Sequence, residues 1–302
     1  MTTPERLAGC ILAGAIGDAW GSGSENLPNG PDRTTFYLQP PPRREPVWQL
    51  TDDTQLTVVT LAALCQGPLL APATLATHLV AAFAQGRLTG LGASTLKALR
   101  ELQAGGHWSQ VGREGEYAAG NGAAMRIAPF AFWPQYTRAE LHDFCRITHR
   151  QVDAYVGALA VVLAIRAVLS GQWTGAEPLL DLLMPQLPDT RLRDRLLEIQ
   201  ALPAHTSIAD VARLGTSGYV VDSVPFALFC AAQVPHLGLT ETLAAIIAAG
   251  GDTDTNASLA GQIAGTLLGP HNLPPELLRK LARVEGYASL IQVLQVAQQN
   301  VV

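Results

Sequence analysis

Charged side chains are scarce in this chain. Of its 302 residues only 15% are Asp, Glu, Lys or Arg, whereas 48% are hydrophobic. The 20 Lys and Arg residues do not collect in any stretch, and the formal net charge is −5. Because a nucleic-acid backbone is bound through clustered cations, the sequence argues against nucleic acid as a partner. A polyphosphate ligand would have to be held by loops, metal ions or a few local cations.

Cysteine is also scarce, and no C-x-x-C pair occurs. The four cysteines lie far apart in apolar sequence, at Cys10, Cys65, Cys145 and Cys230. This usage predicts buried thiols in a reducing cytosol and no disulfide framework. The apolar run 7–16 is short for a signal peptide, and the run 155–169 is interrupted by Arg166 and too short for a membrane span. We therefore expect a soluble, cytoplasmic protein with no membrane partner.

Alternating strand patterns are nearly absent, and Ala, Leu and Val recur at the three- and four-residue spacings of helices. No linker or tandem repeat divides the chain, whose length suits one large core. The sequence therefore predicts an all-α fold with one compact domain over residues 1–302, as a monomer. The predicted helices are 4–19, 52–66, 72–85, 93–103, 137–147, 151–169, two between 176 and 200, 207–214, 222–233, 241–249, 253–268, 275–283 and 287–299.

Two short acidic clusters stand out against this apolar background. The first is Thr-Asp-Asp-Thr at 51–54, and the second is Asp-Thr-Asp-Thr at 252–255, directly after two glycines. Burial of four carboxylates is costly unless cations or hydrogen bonds compensate for it. All the ligand atoms are oxygens, which favours a hard cation such as Mg²⁺ or Mn²⁺ over Zn²⁺. Either cluster alone is typical of a helix N-cap, but two in a chain so poor in charge favour a metal site.

Local geometry predicts how each cluster presents its carboxylates. Asp52 and Asp53 are adjacent, so on a helix their side chains diverge by about 100° and contact different sides of a site, or two ions. Asp252 and Asp254 would point nearly opposite ways on a helix. The glycine pair 250–251 permits an irregular turn that lets both carboxylates face one point.

Two glycine-rich loops and one histidine are candidates for substrate contact. The loop 89–95 leads into a helix whose first N–H groups could bind a phosphate, and the stretch 120–126 could do the same. The alternative for both is a plain turn between helices. His149 opens the central apolar helix, where a lone histidine is more often a cap or a core residue than a ligand contact.

Two further acids precede the first cluster. Glu25 follows the glycine-rich stretch 14–21 on a predicted loop over 21–49. A carboxylate on such a loop can enter and leave a site for proton transfer, although a solvated loop acid is the simpler alternative. Asp18 is predicted to be a structural residue at the end of the first helix.

Together these stretches resemble the ADP-ribosylglycohydrolase family, the group that contains the dinitrogenase-reductase-activating glycohydrolases. The resemblance is carried by 14–25, T-D-D-T at 51–54, G-N-G-A-A-M-R at 120–126, T-H at 148–149 and G-G-D-T-D-T-N-A at 250–257. The matches follow the family's order and span most of the chain. The pair formed by T-D-D-T and G-G-D-T-D-T is specific, and the other stretches support it.

The resemblance implies an orthogonal helical bundle around a central binuclear centre, with two Mg²⁺ or Mn²⁺ ions as cofactors. It implies hydrolysis of the glycosidic bond at C1″ of ADP-ribose, with ADP-ribose or an ADP-ribosylated protein as the partner. By motif match, the metal ligands would be Thr51, Asp52, Asp53, Asp252, Asp254 and Thr255. The catalytic residues would be Glu25, Asp53 and Asp252. Substrate contacts would come from Gly90, Gly92, Ser94, Gly120, Asn121, Gly122, Ala123 and His149.

One departure from the family pattern concerns the linkage. Members that act on ADP-ribosyl-arginine commonly carry an Asp in the first glycine-rich loop. Here no acid occurs between Gln85 and Lys97, and Gly90 occupies the matching position. Arginine-linked, serine- or other O-linked, and small ADP-ribose derivatives are therefore all open as substrates.

Two other interpretations are a non-catalytic ADP-ribose-binding member and a haloacid-dehalogenase-like phosphatase, in which D-x-D-T follows a strand.

Overall fold

The computed structural model describes residues 1–25, 47–67 and 69–301. Within those ranges the chain forms fourteen α-helices and one pair of two-residue strands, which confirms the predicted all-α fold. The helices are α1 (Thr3–Gly21), α2 (Asp52–Leu64), α3 (Pro72–Ala84), α4 (Ala93–Gln103), α5 (Arg138–Arg146), α6 (Val152–Leu169), α7 (Leu179–Leu183), α8 (Arg191–Gln200), α9 (Ile208–Val211), α10 (Val220–Leu237), α11 (Leu239–Ala249), α12 (Thr253–Leu268), α13 (Pro275–Leu281) and α14 (Tyr287–Asn300). The strands are β1 (Arg113–Glu114) and β2 (His149–Arg150). Most of the predicted loop 21–49 lies outside the described residues.

Most helices lie where the periodicity predicts them, and their first turns explain why they begin there. Thr137 accepts a hydrogen bond from the N–H of Glu140, whose carboxylate accepts one from the N–H of Thr137, so α5 begins with a capping box. Thr2 and Glu5 form the same reciprocal pair before α1. Helix α1 therefore begins at Thr3, one residue before the predicted start at 4.

Two helices, α6 and α10, are long and apolar enough to cross a membrane by length and composition alone. In the fold, 78% of α6 and 61% of α10 is buried inside the protein. Such burial is typical of the central helices of a core. The first turn of α6 extends the apolar run at 155–169 to 18 residues, so the expectation that this run is too short for a span is wrong on length.

Helices α1 and α12 pack in direct backbone contact at the centre of the fold. A Cβ added at Gly17 would lie 2.7 Å from the backbone nitrogen of Ser258, and one at Gly21 would lie 2.6 Å from Cα of Asp254. Only glycine fits at such distances. This packing brings Asp18, near the end of α1, beside the first turn of α12.

Short strand pairings connect three distant parts of the chain. β1 pairs with β2 in parallel, with Arg113 opposite His149, and Gly120 forms an antiparallel bridge with Tyr219. Pairings this short have no alternating pattern, so the sequence did not predict them. They bring the glycine-rich segment 104–122 and His149 to the cavity that the acidic clusters also line.

Candidate active site

Asp18 joins the first helix to the first acidic cluster. Its carboxylate accepts hydrogen bonds from the N–H of Thr51 at 3.1 and 3.2 Å, from Oγ1 of Thr51 at 2.7 Å and from the N–H of Thr54 at 3.1 Å. These are N–H groups that a helix start leaves without an intrahelical partner. Asp18 is fully buried, and the prediction that it has a structural role is consistent with these contacts.

The first cluster opens α2, as predicted. Thr51 is the N-cap and accepts a hydrogen bond from the N–H of Asp53 at 3.4 Å. Oδ2 of Asp53 accepts hydrogen bonds from Oγ1 of Thr51 at 3.4 Å and from Oγ1 of Thr255 at 3.0 Å, so the two clusters touch across 202 positions of sequence. The adjacent Asp52 also lines the cavity and receives a backbone hydrogen bond from Gly92.

The chain turns at the two glycines that precede the second cluster. Gly250 and Gly251 have φ values of +74° and +82°, which glycine adopts without strain. Asp252 then lies outside the helix, and Asp254 lies in the first turn of α12. Oxygen atoms of Glu25, Asp252 and Asp254 all lie within 4.8 Å of one another. The predicted convergence of both aspartates on one point is thus present in the structure.

A second group of acids lies deeper in the same region. Oxygen atoms of Asp18, Asp53 and Asp254 also lie within 4.8 Å of one another, and all three residues are buried. Asp254 belongs to both groups and therefore links them. Sequence reasoning missed the contribution of Asp18 here, because it depends on the packing of α1 against α12 and not on a local motif.

Burial and mutual repulsion disfavour the charged forms of these carboxyl groups. Desolvation, followed by the charge of Asp254, raises the pKa of Asp53 well above its usual value. Desolvation and the neighbouring Asp252 raise the pKa of Asp254 to about 9. Desolvation, with a contribution from the charge of Asp18, raises the pKa of Asp52 to about 7. Desolvation also raises the pKa of Asp18 to about 6, against the opposing effect of its hydrogen bonds.

The donor set fits a hard divalent cation. Oδ1 of Asp53 is buried and has no hydrogen-bond partner among the described residues. A buried carboxylate oxygen without a partner is costly, and a cation would satisfy it while relieving the repulsion between neighbouring acids. The donors are carboxylate and hydroxyl oxygens, which Mg²⁺ and Mn²⁺ prefer.

The first glycine-rich loop reaches the cavity from the start of α4. Gly90 has a φ of +75°, and a Cβ placed there would lie 3.8 Å from Oδ1 of Asp52. Gly92 is the N-cap residue of α4, and Ser94 is buried in its first turn. The loop therefore places the N-terminus of an 11-residue helix at the cavity wall, next to the acidic clusters.

The second glycine-rich stretch lines the opposite part of the cavity. Nδ2 of Asn121 donates a hydrogen bond to Oδ2 of Asp252 at 2.7 Å. A Cβ added at Gly122 would lie 2.8 Å from Cε1 of His149, so the imidazole needs glycine there, and Gly120 lies against the same ring. Ala123 is different: it ends a 3₁₀ turn, is fully buried, and does not line the cavity.

The cavity that these elements enclose has a volume of about 350 Å³. That volume lies within the usual range for small-molecule sites. Sequence reasoning missed Arg113, Tyr117 and Gly218 among its lining residues. Among the described residues that line this cavity, Arg113 is the one Lys or Arg. Its position in the glycine-rich segment 104–122 was the only available signal.

The chain matches the family model described as ADP-ribosylglycohydrolase over residues 1–301. The chain belongs to that family. A relative, ADP-ribosylhydrolase ARH3 of Danio rerio, is 27% identical, with 89% of this chain and 84% of the relative covered. ADP-ribosylarginine hydrolase Tri1 of Pseudomonas putida is 29% identical, with 97% of this chain and 79% of that protein covered. A solved structure described as an ADP-ribosylglycohydrolase-related protein complex has a TM-score of 0.74 at 24% identity, covers 98% of both chains and shares the fold.

This membership excludes the phosphatase interpretation. In that interpretation the D-x-D-T motif would end a strand of a parallel sheet. Here residues 252–255 follow α11 and open α12, and β1 and β2 are the only strands in the described part of the chain.

Proposed function

We propose that this protein is a metal-dependent hydrolase that cleaves the glycosidic bond at C1″ of ADP-ribose. Its substrate would be an ADP-ribosylated protein side chain or a small ADP-ribose derivative. Family membership and the activities by which two relatives are named support hydrolysis at an ADP-ribosyl group. The observation that carries the proposal is the hydrogen bond between Thr255 and Asp53, which joins the two acidic clusters at one cavity.

The residues that would hold the metal are the six of the two clusters, with Glu25 beside them. These are Thr51, Asp52, Asp53, Asp252, Asp254 and Thr255. We propose two ions, because Asp254 belongs to two acidic groups, one buried and one that reaches the exposed Glu25. When bound, Mg²⁺ or Mn²⁺ supplies Lewis-acid charge that stabilises negative charge developing on oxygen.

Glu25 is the residue that we assign to proton transfer. It lines the cavity on the solvent side, whereas Asp53 and Asp254 are buried. Hydrolysis breaks the bond between C1″ and the acceptor atom and forms a bond between C1″ and a water oxygen. Glu25 would accept a proton from that water and return it to the acceptor atom as the bond to C1″ breaks, so that the acceptor leaves protonated.

The remaining cavity residues would bind and orient the ADP-ribosyl group. The N-terminus of α4, preceded by Gly90 and Gly92, presents N–H groups and a positive dipole end that suit a diphosphate. Asn121 orients Asp252 by the hydrogen bond from Nδ2. We expect serine- or other O-linked substrates to be cleaved at least as fast as arginine-linked ones, because the loop 86–92 carries no carboxylate to pair with a guanidinium.

The test is a substrate panel with a matched pair of variants. Purified protein is assayed on arginine-, serine- and nucleotide-linked ADP-ribose with Mg²⁺, with Mn²⁺ and after strict chelation. We expect turnover that requires a divalent cation and is lost in Glu25→Gln but kept in Glu276→Gln, an exposed carboxyl on α13. Full activity under chelation would disprove the metal requirement, and full activity of Glu25→Gln would disprove its role. Tight ADP-ribose binding without any turnover would favour the non-catalytic interpretation.

A further inference from the structure

Arg126 is a buried cation without a carboxylate partner in the described part of the chain. Its side chain is fully buried. Nη2 donates hydrogen bonds to the carbonyl oxygen of Phe144 at 2.9 Å and to Oγ1 of Thr148 at 3.2 Å. Nε and Nη1 have no partner among the described residues. Removing an unpaired charge from water is expensive, so an apolar side chain would fill this position at lower cost if packing were its only role.

Thr148 connects this cation to a histidine in the cavity wall. Its Oγ1 receives the hydrogen bond from Arg126 and lies 2.9 Å from Nδ1 of His149. A threonine hydroxyl has one proton to donate. Among the described residues Nδ1 of His149 is the one acceptor within hydrogen-bond distance of that proton. If Nδ1 carried the proton instead, the hydroxyl of a fully buried threonine would donate to nothing, which is costly.

The contact therefore determines where His149 carries its own proton. A neutral imidazole whose Nδ1 accepts a hydrogen bond has its proton on Nε2. Burial, reinforced by the charge of Arg126, lowers the pKa of His149 to about 3, which keeps the ring neutral. No protein partner for Nε2 is found in the described residues, and the ring lines the cavity between Gly120 and Gly122.

The backbone around this histidine is also fixed. His149 belongs to β2 and pairs with Arg113 of β1. A Cβ at Gly122 would lie 2.8 Å from Cε1 and 3.2 Å from Nε2 of the imidazole, so the ring is in close contact with the loop that lines the cavity. The Nε2 edge thus has both a defined position and a defined proton.

We propose that Arg126 and Thr148 are positioning residues that fix His149 as a neutral Nε2–H donor to an oxygen atom of the bound ADP-ribosyl group. The choice of ligand rests on the proposed function, whereas the state of the imidazole does not. In this role His149 binds and orients the ADP-ribosyl group, and none of the three residues transfers a proton during turnover. Its contribution should therefore appear in the affinity for ADP-ribose and in KM more than in kcat.

The first test reads the protonation state of the imidazole in the wild-type protein. Protein labelled with ¹⁵N in histidine is examined by NMR, and the His149 signals are assigned as those missing from His149→Asn. We expect the chemical shifts of a neutral Nε2–H tautomer that do not change between pH 8 and pH 6. An Nδ1–H tautomer, or a ring that becomes charged in this interval, would overturn the proposal while leaving the proposed function intact.

The second test separates the hydroxyl from the packing of residue 148. Thr148→Val removes the hydroxyl, and Thr148→Ser retains it. We expect Thr148→Val to show mixed tautomers and about tenfold weaker ADP-ribose binding, equivalent to one hydrogen bond, while Thr148→Ser behaves as wild type. Equal losses in both variants, or an unchanged affinity in Thr148→Val, would overturn the positioning role. A wild-type protein with the Nε2–H tautomer that neither binds nor cleaves any ADP-ribosyl compound would instead disprove the proposed function.

Discussion

Asn121 donates a hydrogen bond from Nδ2 to Oδ2 of Asp252 over 2.7 Å, between residues 131 positions apart. Asn121 is itself held by its backbone N–H, which donates to the carbonyl oxygen of Gly218 at 3.1 Å. This contact orients the carboxylate of Asp252 through one lone pair of Oδ2. The glycine-rich stretch therefore acts on the acidic cluster as well as on the cavity wall.

Replacing Asn121 by alanine should weaken metal binding. Partners that orient metal ligands typically contribute about 10–100-fold in affinity or activity. We therefore expect the Mg²⁺ or Mn²⁺ concentration that gives half-maximal activity to increase by a factor of that size. Asn272→Ala is the matched control, because Asn272 is exposed and its Nδ2 donates to the carbonyl oxygen of Leu268 in the neighbouring turn. A metal titration that is identical in Asn121→Ala and wild type would show that Asp252 needs no orientation.

Replacing Asp53 by asparagine should separate stability from activity. The substitution removes a buried carboxyl group that must either stay protonated or repel Asp254, so we expect the metal-free protein to be more stable at pH 9 by about 0.5–2 kcal/mol, with a smaller gain at pH 6. Activity should fall at least ~100-fold, because a metal ligand is lost. Denaturant unfolding with and without metal measures both effects, with Asp189→Asn as an exposed control. Unchanged or lower metal-free stability would contradict the repulsion that we infer.

The metal-free protein should lose stability as pH rises. Asp52, Asp53 and Asp254 have pKa values raised above those of the unfolded chain, so the folded state binds more protons. Their stabilising contribution is complete below about pH 4, the usual carboxyl pKa, and is lost as pH rises through about 7 for Asp52 and about 9 for Asp254.

Thermal unfolding after strict chelation tests this dependence. We expect Tm to be lower at pH 9 than at pH 6, and excess Mg²⁺ or Mn²⁺ to reverse the trend, because metal binding requires deprotonated ligands. A metal-free Tm that rises between pH 6 and pH 9 would be inconsistent with the raised pKa values.

The features that the sequence predicted depend on residues close together in the chain. The features that it did not predict depend on contacts between residues far apart in the chain. The helices and both acidic clusters follow local rules: side-chain periodicity, capping, and the freedom of the pair 250–251 to turn. The convergence of Asp252 and Asp254 was predictable for that reason. The place of Asp18 in the buried acidic group was not, since it depends on glycine contacts between α1 and α12, two helices at opposite ends of the sequence.

For the residues of the cavity wall too, the sequence predicted local motifs but not tertiary contacts. His149 was recognisable from its motif, but its contact with Gly122 and its hydrogen bond through Thr148 depend on tertiary packing. Ala123 was included with the loop that contains it, although the 3₁₀ turn directs it into the core. Arg113 has no motif at all, and only its pairing with β2 places it at the cavity.

Arg113 should matter for the affinity of the diphosphate. Among the described residues of the cavity wall it is the one Lys or Arg beside five acidic residues, and ADP-ribose carries two negative phosphates. The preceding residue, Gly112, is anchored to α4 by two hydrogen bonds. Its carbonyl oxygen accepts from Nζ of Lys97 at 3.2 Å, and the N–H of Gly112 donates to the carboxylate of Glu101 at 3.3 Å. The guanidinium thus starts from a fixed backbone and reaches the cavity from its exposed side.

Arg113→Gln is therefore expected to raise KM and weaken ADP-ribose binding about tenfold, the value of one charge-assisted hydrogen bond. The change in kcat should be smaller, because the phosphates are bound equally in the ground and transition states. Binding of free ribose, which has no phosphate, should not change. The difference between variant and wild type should shrink at high salt, where an exposed charge is screened. Arg87→Gln, an exposed arginine that does not line the cavity, is the control. Equal KM values for Arg113→Gln and wild type at low salt would show that the helix start of α4 binds the diphosphate without this cation.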